Sequence, residues 1–119
     1  MDEAYLAMWE RQVRKGLVEF ALLAMLAAER LYSPEVVERS AELGLRLPAG
    51  TVYPVLSRLR KEGLLEATIE ESSQGPPRKY YRLTRQGEAL LAAMAPVIAE
   101  LMPSLRQFLD LRAKDDPCE

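Results

Sequence analysis

Thr51-Val52-Tyr53-Pro54-Val55-Leu56-Ser57-Arg58-Leu59-Arg60-Lys61 is followed by Glu62-Gly63, by Leu64-Leu65-Glu66-Ala67-Thr68-Ile69, by Glu71-Ser72-Ser73-Gln74-Gly75-Pro76-Pro77, and then by Arg78-Lys79-Tyr80-Tyr81-Arg82-Leu83-Thr84. The first run puts Val52, Val55, Leu56 and Leu59 at helical spacing and leaves Thr51, Tyr53, Ser57, Arg58, Arg60 and Lys61 elsewhere around the helix. In the next run Leu65, Ala67 and Ile69 alternate with Glu66, Thr68 and Glu70, the pattern of a strand with one dry face. The polar, Gly- and Pro-containing run reads as a turn. The return run sets Tyr81 and Leu83 on one face and Tyr80 and Arg82 on the other. A helix followed by a hairpin with a basic return strand is the plan of a winged helix, in which the helix enters a major groove and the hairpin touches the flanking backbone.

Working outward, Ser33-Pro34-Glu35-Val36 reads as a helix start, with Ser33 as N-cap and Pro34 at the first helical position. That helix is expected to run to about Leu43 and to end at Gly44. Leu45-Arg46-Leu47 links it to the next start at Pro48-Ala49-Gly50, giving a helix-turn-helix with its second helix over 49–62. Pro54 removes one backbone hydrogen bond there and bends the first turns. Upstream, Leu17 to Arg30 reads as the central helix, with Leu17, Phe20, Leu23, Ala24 and Ala27 inward. Residues 4–14 read as a separate short amphipathic helix carrying Tyr5, Leu6, Trp9 and Val13, because Gly16 weakens continuity. Downstream, Thr84 caps a last helix with Leu91, Met94, Ile98, Leu101, Leu105 and Phe108 at spacings of 3 and 4 in turn, a heptad seam. Pro96 and Pro103 lie off the seam, where they would kink the helix toward one side. The expected fold is mainly α with a small β-hairpin (α+β). Residues 1–87 form the winged helix-turn-helix, 88–113 a C-terminal dimerisation helix, and 114–119 a frayed tail.

The 119 residues suit one domain, and their net charge of −2 hides an uneven distribution. Residues 46–87 hold eight Arg/Lys and four Asp/Glu, while residues 1–45 hold five against eight and residues 88–119 three against six. The central third is therefore +4 and each flank −3, and it is a local positive face that attracts nucleic acid. The single cysteine, Cys118, cannot form an internal disulfide. No apolar run approaches the ~20 residues of a bilayer span, and Met1-Asp2-Glu3 is unlike a signal peptide, so a cytoplasmic protein with no membrane partner is expected. There is no histidine, and no cofactor or metal motif. Without a plausible cysteine nucleophile, a phosphate loop or paired carboxylates, an enzyme is not expected.

Several of these motifs together resemble the PadR family of bacterial transcriptional regulators. They are Gly50-Thr51-Val52-Tyr53-Pro54, Leu56, Arg58-Leu59, Glu62-Gly63-Leu64, and Gly75-Pro76-Pro77-Arg78-Lys79-Tyr80-Tyr81-Arg82-Leu83-Thr84 with Gly87. The resemblance spans roughly residues 17–87, and the single short C-terminal helix is similar to the compact PadR-like subgroup. It implies a homodimer on a double-stranded DNA operator, released by a small-molecule effector whose identity the sequence leaves open. Three places depart from the family pattern. Leu31-Tyr32-Ser33-Pro34 stands where a Tyr-Gly-Tyr-like turn is usual, and Pro48 stands where a Ser usually starts the recognition helix. The only tryptophan is Trp9, away from the C-terminal helix that carries the subgroup's drug-stacking aromatic.

Gly50, Thr51, Tyr53, Ser57, Arg58 and Lys61 are then the expected DNA contacts of the helix. Arg58 suits guanine, whose two major-groove acceptors its fork matches; Gly50 and Thr51 suit phosphate at the first turn. Gln74, Gly75, Arg78 and Lys79 are the expected wing contacts. An ordinary solvated face for the helix and an aggregation-resistant edge for the wing are the plainer readings, and the helix-plus-hairpin plan favours DNA. Tyr81 reads as wing packing. Leu91, Met94, Ile98, Leu101, Leu105 and Phe108 form either an internal core stripe or a dimer seam with help from residues 4–14, and the length of the helix favours the seam. Trp9, Phe20, Met94 and Phe108 are candidate effector contacts, with interface packing the plainer reading for each. The alternative function is a winged-helix protein–protein interaction module that never touches DNA.

Overall fold

The computed structural model describes residues 2–114; Cys118 and the expected tail beyond Lys114 lie outside the described residues. The chain runs α1 (Glu3–Ala28), β1 (Leu31–Tyr32), α2 (Ser33–Glu42), α3 (Ala49–Lys61), β2 (Leu65–Ser72), β3 (Gly75–Leu83) and α4 (Arg85–Lys114). This is a winged helix: helices α1–α3 close on a three-stranded antiparallel sheet of order β1-β3-β2, and α4 leaves the domain behind the wing.

Helix α1 is one element of 26 residues, not two. A single Gly16 costs about 1 kcal/mol in a helix interior, which good helix formers on both sides and an Asp2 cap offset. The Asp2 Oδ1 accepts from the amides of Ala4 at 3.0 Å and Tyr5 at 3.2 Å. The buried stripe of α1 is Val18, Leu22, Leu23, Met25 and Leu26, turned from the expected one. Leu17, Phe20 and Ala24 are half-buried and Ala27 is exposed, so of the expected set only Leu23 is fully inside. The run is apolar nearly all round, so periodicity alone could not orient it.

Two glycines end the helix-turn-helix elements in the same manner. Gly44 and Gly63 have φ of 91° and 81°, a region that costs side-chain-bearing residues. After α2, the Gly44 amide donates to Ala41 O and that of Leu45 to Ser40 O, each 3.0 Å. After α3, the Gly63 amide donates to Arg60 O at 3.0 Å and that of Leu64 to Leu59 O at 2.9 Å. Both are Schellman closures, which satisfy carbonyls that the helix end leaves free. Buried Ser40 spans the turn between the two helices: its hydroxyl donates to Val37 O at 2.8 Å and accepts from the Leu47 amide at 3.2 Å. The start of α2 differs from expectation by one residue. Tyr32 is the N-cap, and Ser33 is already helical. The Tyr32 amide donates to Glu35 Oε1 at 2.9 Å, closing the first turn from the other side.

Strand β1 was not foreseen. It is two residues long and pairs Leu31 with Tyr81 and Tyr32 with Tyr80, which makes β3 the central strand there. Leu31, Leu65, Tyr81 and Leu83 close the sheet over Leu22, Leu23, Val36, Val52, Leu56 and Leu59. The hairpin is longer and its turn tighter than expected: β2 reaches Ser72, which pairs with Gly75, leaving Ser73 and Gln74 as the loop, with an irregularity in register between Glu70 and Ser72. Pro76 and Pro77 sit inside β3, where β1 no longer flanks it and no second partner needs their missing N–H. The dry face of β2 fades outward: Leu65 is buried, Ala67 half-buried and Ile69 69% exposed. The tip of the wing projects past the core, so strand alternation there no longer implies burial.

Thr84 joins wing, α3 and α4. Its hydroxyl donates to Gly63 O at 2.6 Å and accepts from the Gly87 amide at 3.1 Å, and its own amide donates to Leu64 O at 3.1 Å. Helix α4 then runs unbroken for 30 residues through Pro96 and Pro103. It is long and apolar enough to cross a membrane by length and composition, which corrects the expectation that no such run exists. A single helix of this kind is weak evidence of a span, and the segment includes Glu100 and Arg106. The radius of gyration is 17.8 Å, against about 13.5 Å for a compact chain of this length. The amino-terminal half of α1 and the carboxyl half of α4, both exposed along nearly all their length, contribute to the excess.

Candidate nucleic-acid interface

Helix α3 buries Val52, Leu56 and Leu59 completely, with Val55 half-buried beside them. That fixes its rotation. Gly50, Tyr53, Arg58, Arg60 and Lys61 are exposed, and Thr51 and Ser57 half-exposed. Pro48 is the N-cap and contributes no side-chain acceptor. Its carbonyl takes the Thr51 amide at 2.9 Å and the Val52 amide at 3.0 Å. Space beside Gly50 is open, with nothing within 4 Å of where a Cβ would stand. The helix therefore offers an uncapped amino end and a polar outer face, and its last turn carries Arg58, Arg60 and Lys61, which suit the negative end of the helix dipole.

Arg58 is held more firmly than its sequence context implies. Its guanidinium donates to Glu19 of α1 at 3.0 Å and to Glu62 at 3.2 Å. The hydrogen bond to Glu19 raises its already high pKa, so it stays charged. Glu19 lies 39 positions away and no spacing rule pointed to it.

The wing is braced at its base by crossed cation–π contacts. The Arg30 guanidinium lies 4.2 Å from the centre of the Tyr80 ring, and that of Arg78 lies 4.9 Å from Tyr32. The two tyrosines are tilted neighbours with centroids 5.7 Å apart. Arg30 also pairs with Glu70, and Arg82 with Glu66. Arg78 is thus built into the wing base as well as exposed on it. Lys79 is exposed and sits 6.0 Å above the Tyr81 ring, and Tyr81 itself is buried, as its packing role requires. Gln74 and Gly75 are at the exposed tip, with free space beside Gly75. Sequence reasoning missed Arg30 and Tyr32, whose roles depend on the unforeseen strand β1.

The heptad stripe of α4 divides into two halves. Leu91, Met94 and Ile98 are half-buried, and Met94 shares a hollow of about 440 Å³ with Leu17 and Phe20 of α1. Leu101, Leu105 and Phe108 are 49%, 59% and 68% exposed. A second hollow of about 660 Å³, almost wholly apolar, lies between α1, the end of α2 and α4; Phe20, Ala24, Met25, Ile98, Leu101 and Leu105 are among its walls. Of the candidate effector contacts, Phe20 and Met94 come together. Phe108 lines a separate shallow hollow with Ser104 and Leu111, and Trp9 is exposed on the amino-terminal half of α1.

Comparison with known proteins matches residues 22–93 to the model of the Transcriptional regulator PadR-like family. Transcriptional regulator Rv3488 of Mycobacterium tuberculosis is 29% identical over 91 residues, which are 76% of this chain and 84% of that protein. A PadR-like transcription factor of Bacteroides fragilis is 36% identical with a TM-score of 0.70, covering 83% of this chain and 96% of that one. Bacillus subtilis PadR, solved in complex with operator DNA, is 21% identical with a TM-score of 0.61, covers 66% of this chain and 45% of that one, and shares the fold. With the helix-turn-helix, the wing and the start of α4 all inside the matched span, this chain belongs to the PadR-like family of transcriptional regulators.

Proposed function

We propose that this protein is a cytoplasmic transcriptional repressor that binds a pseudo-palindromic operator as a homodimer and is released by a small apolar or aromatic effector. The observation that carries the DNA reading is the outer face of α3. Its inner residues are fully buried, and Thr51, Tyr53 and Ser57 stand outward beside an uncapped amino end. Gly50 and Thr51 take phosphate, Thr51, Tyr53, Ser57 and Arg58 read bases, and Lys61 with the wing residues Gln74, Gly75, Arg78 and Lys79 holds the flanking backbone. Operator DNA bound to Bacillus subtilis PadR supports this use of the fold. The division of labour is residues 1–87 for DNA and 88–113 for dimerisation. The uncovered apolar half of α4 supports the dimer, and the 660 Å³ hollow beside it supports an effector site walled by Phe20 and its neighbours.

A gel-shift assay on the DNA immediately upstream of the protein's own coding region tests this, since such regulators commonly control a neighbouring operon. A salt-sensitive shift competed poorly by random DNA is expected. The absence of any shift on that DNA, together with binding to random duplex that is equally weak and flat in salt, would favour a protein-interaction role instead.

A further inference from the structure

Arg11, Lys15, Val18 and Leu22 lie at spacings of 4, 3 and 4 along α1, so they share one stripe of the helix. Val18 and Leu22 are fully inside the core. Followed toward the amino terminus, the same stripe changes from apolar to cationic. There α1 passes the α2–α3 turn and the start of α3, and the two enclose a hollow of about 620 Å³. Arg11, Arg14, Lys15, Arg46 and Arg58 line it against one carboxylate, Glu19, with Gly50 and Thr51 of α3 in the same wall. Two of those cations are already engaged, Arg14 by Glu10 at 3.2 Å and Arg58 by Glu19 and Glu62. Among the described residues Arg11, Lys15 and Arg46 pair with no carboxylate. The apolar face of α1, with Tyr5, Trp9 and Val13, points another way around the helix. Apart from Met8, which also lines the hollow, the exposed apolar side chains of this half of α1 therefore lie away from the cationic stripe.

Three unpaired cations gathered beside an uncapped helix end, in a chain of net charge −2, form a local field that a polyanion complements. We infer that the amino-terminal half of α1, with Arg46, is a third DNA-contacting element that grips backbone phosphates alongside the amino end of α3. This rests on the DNA-binding reading above and extends the footprint beyond recognition helix and wing. Its contacts carry no sequence information, so they act on all duplexes alike.

The test is the full-length Arg11→Gln, Lys15→Gln double variant against wild type, titrated with a random-sequence duplex over a salt series. Glutamine keeps a polar side chain of similar reach and removes the charge. The log–log salt slope is expected to fall by about two, close to one for each phosphate no longer neutralised, with an unchanged sedimentation coefficient. Adding Arg46→Gln is expected to lower it by about one more. A slope equal to wild type would overturn the inference and leave an ordinary solvated face, and a variant that changes oligomeric state would overturn it in favour of a contact between copies. Wild type that shows no salt-dependent binding to any duplex would remove the DNA reading itself, a different failure from a salt-dependent wild type matched by its variant.

Discussion

At Gly87 a Cβ would stand 2.1 Å from the Leu64 carbonyl oxygen, and that oxygen is held in place by the Thr84 amide. Backbone cannot yield as the end of a flexible side chain can. Gly87→Ala is therefore expected to destabilise the fold by about 1–3 kcal/mol or more, read as a fall in thermal midpoint. Gly75→Ala, with open space around it and no positive φ, is expected to change stability by less than about 0.5 kcal/mol. Equal midpoints for the two variants would contradict this account of the wing–α4 junction. Arg58 poses a different question, because the proposed base contact would require it to exchange Glu19 and Glu62 for a base edge. Both of its pairs are half-exposed, so the exchange costs little. Arg58→Ala is expected to lose roughly 1–3 kcal/mol of discrimination at one position in each half-site. Equal weakening on operator and random duplex would make Arg58 a phosphate contact instead. Single residues were legible where backbone geometry dictates them, as at Gly44, read as the end of α2 and found at positive φ. Glu19 was not legible, because its partner is brought near only by the packing of α1 on α3.

Among the elements, the wing has the sharpest expected signature. Lys79 is exposed with only a distant ring beneath it, while Arg78 stacks on Tyr32. Removing both charges by Arg78→Ala with Lys79→Ala should weaken every duplex alike and make the salt slope shallower by about two. Arg78→Ala also strips a cation–π contact from the wing base, worth about 0.5–1 kcal/mol at an exposed site. Lys79→Ala alone should thus lower the slope by about one at no cost in thermal midpoint. A slope unmoved by the double change would mean that the wing does not touch phosphate. The helix-turn-helix and the hairpin were readable from caps, periodicity and alternation, because those signals are local. Strand β1 was not, since two residues carry no period and only the Leu31–Tyr81 and Tyr32–Tyr80 pairing defines it. Nor was the continuity of α1 through Gly16, where a single weak helix former was outweighed by its neighbours. The basic stripe of α1 was invisible for the same reason: with α1 split in two, Arg11 and Lys15 had no common axis with Val18 and Leu22.

For the whole molecule, the deciding feature is how much apolar surface one chain leaves uncovered. Leu101, Leu105 and Phe108 on α4 are half to two-thirds exposed, as are Tyr5 and Trp9 on α1. Residues 101–113 of α4 are exposed throughout in the single chain, whose principal extents are 65 × 31 × 22 Å. An apolar helix face of this size suits an interface, and the proposed two-fold partner would cover it with the same patch. The prolines do not disturb this arrangement, because α4 remains one helix and Pro96 and Pro103 fall between seam positions. The proposed dimer would also set the DNA geometry, since two copies of α3 would have to reach successive major grooves about 34 Å apart on one face of the duplex. Leu101 sits where the half-buried part of the seam gives way to the exposed part, and it borders both apolar hollows. Leu101→Arg would place a charge at the centre of the proposed apolar interface, and an unpaired charge buried there costs several kcal/mol. The side chain is 49% exposed in the single chain, so the winged helix itself should still fold. The variant is expected to sediment as a monomer, to keep the helical circular-dichroism signal of wild type, and to lose operator binding with Thr51, Tyr53 and Arg58 untouched. A Leu101→Arg protein that remains dimeric in the ultracentrifuge and still shifts operator DNA would show that α4 is not the seam.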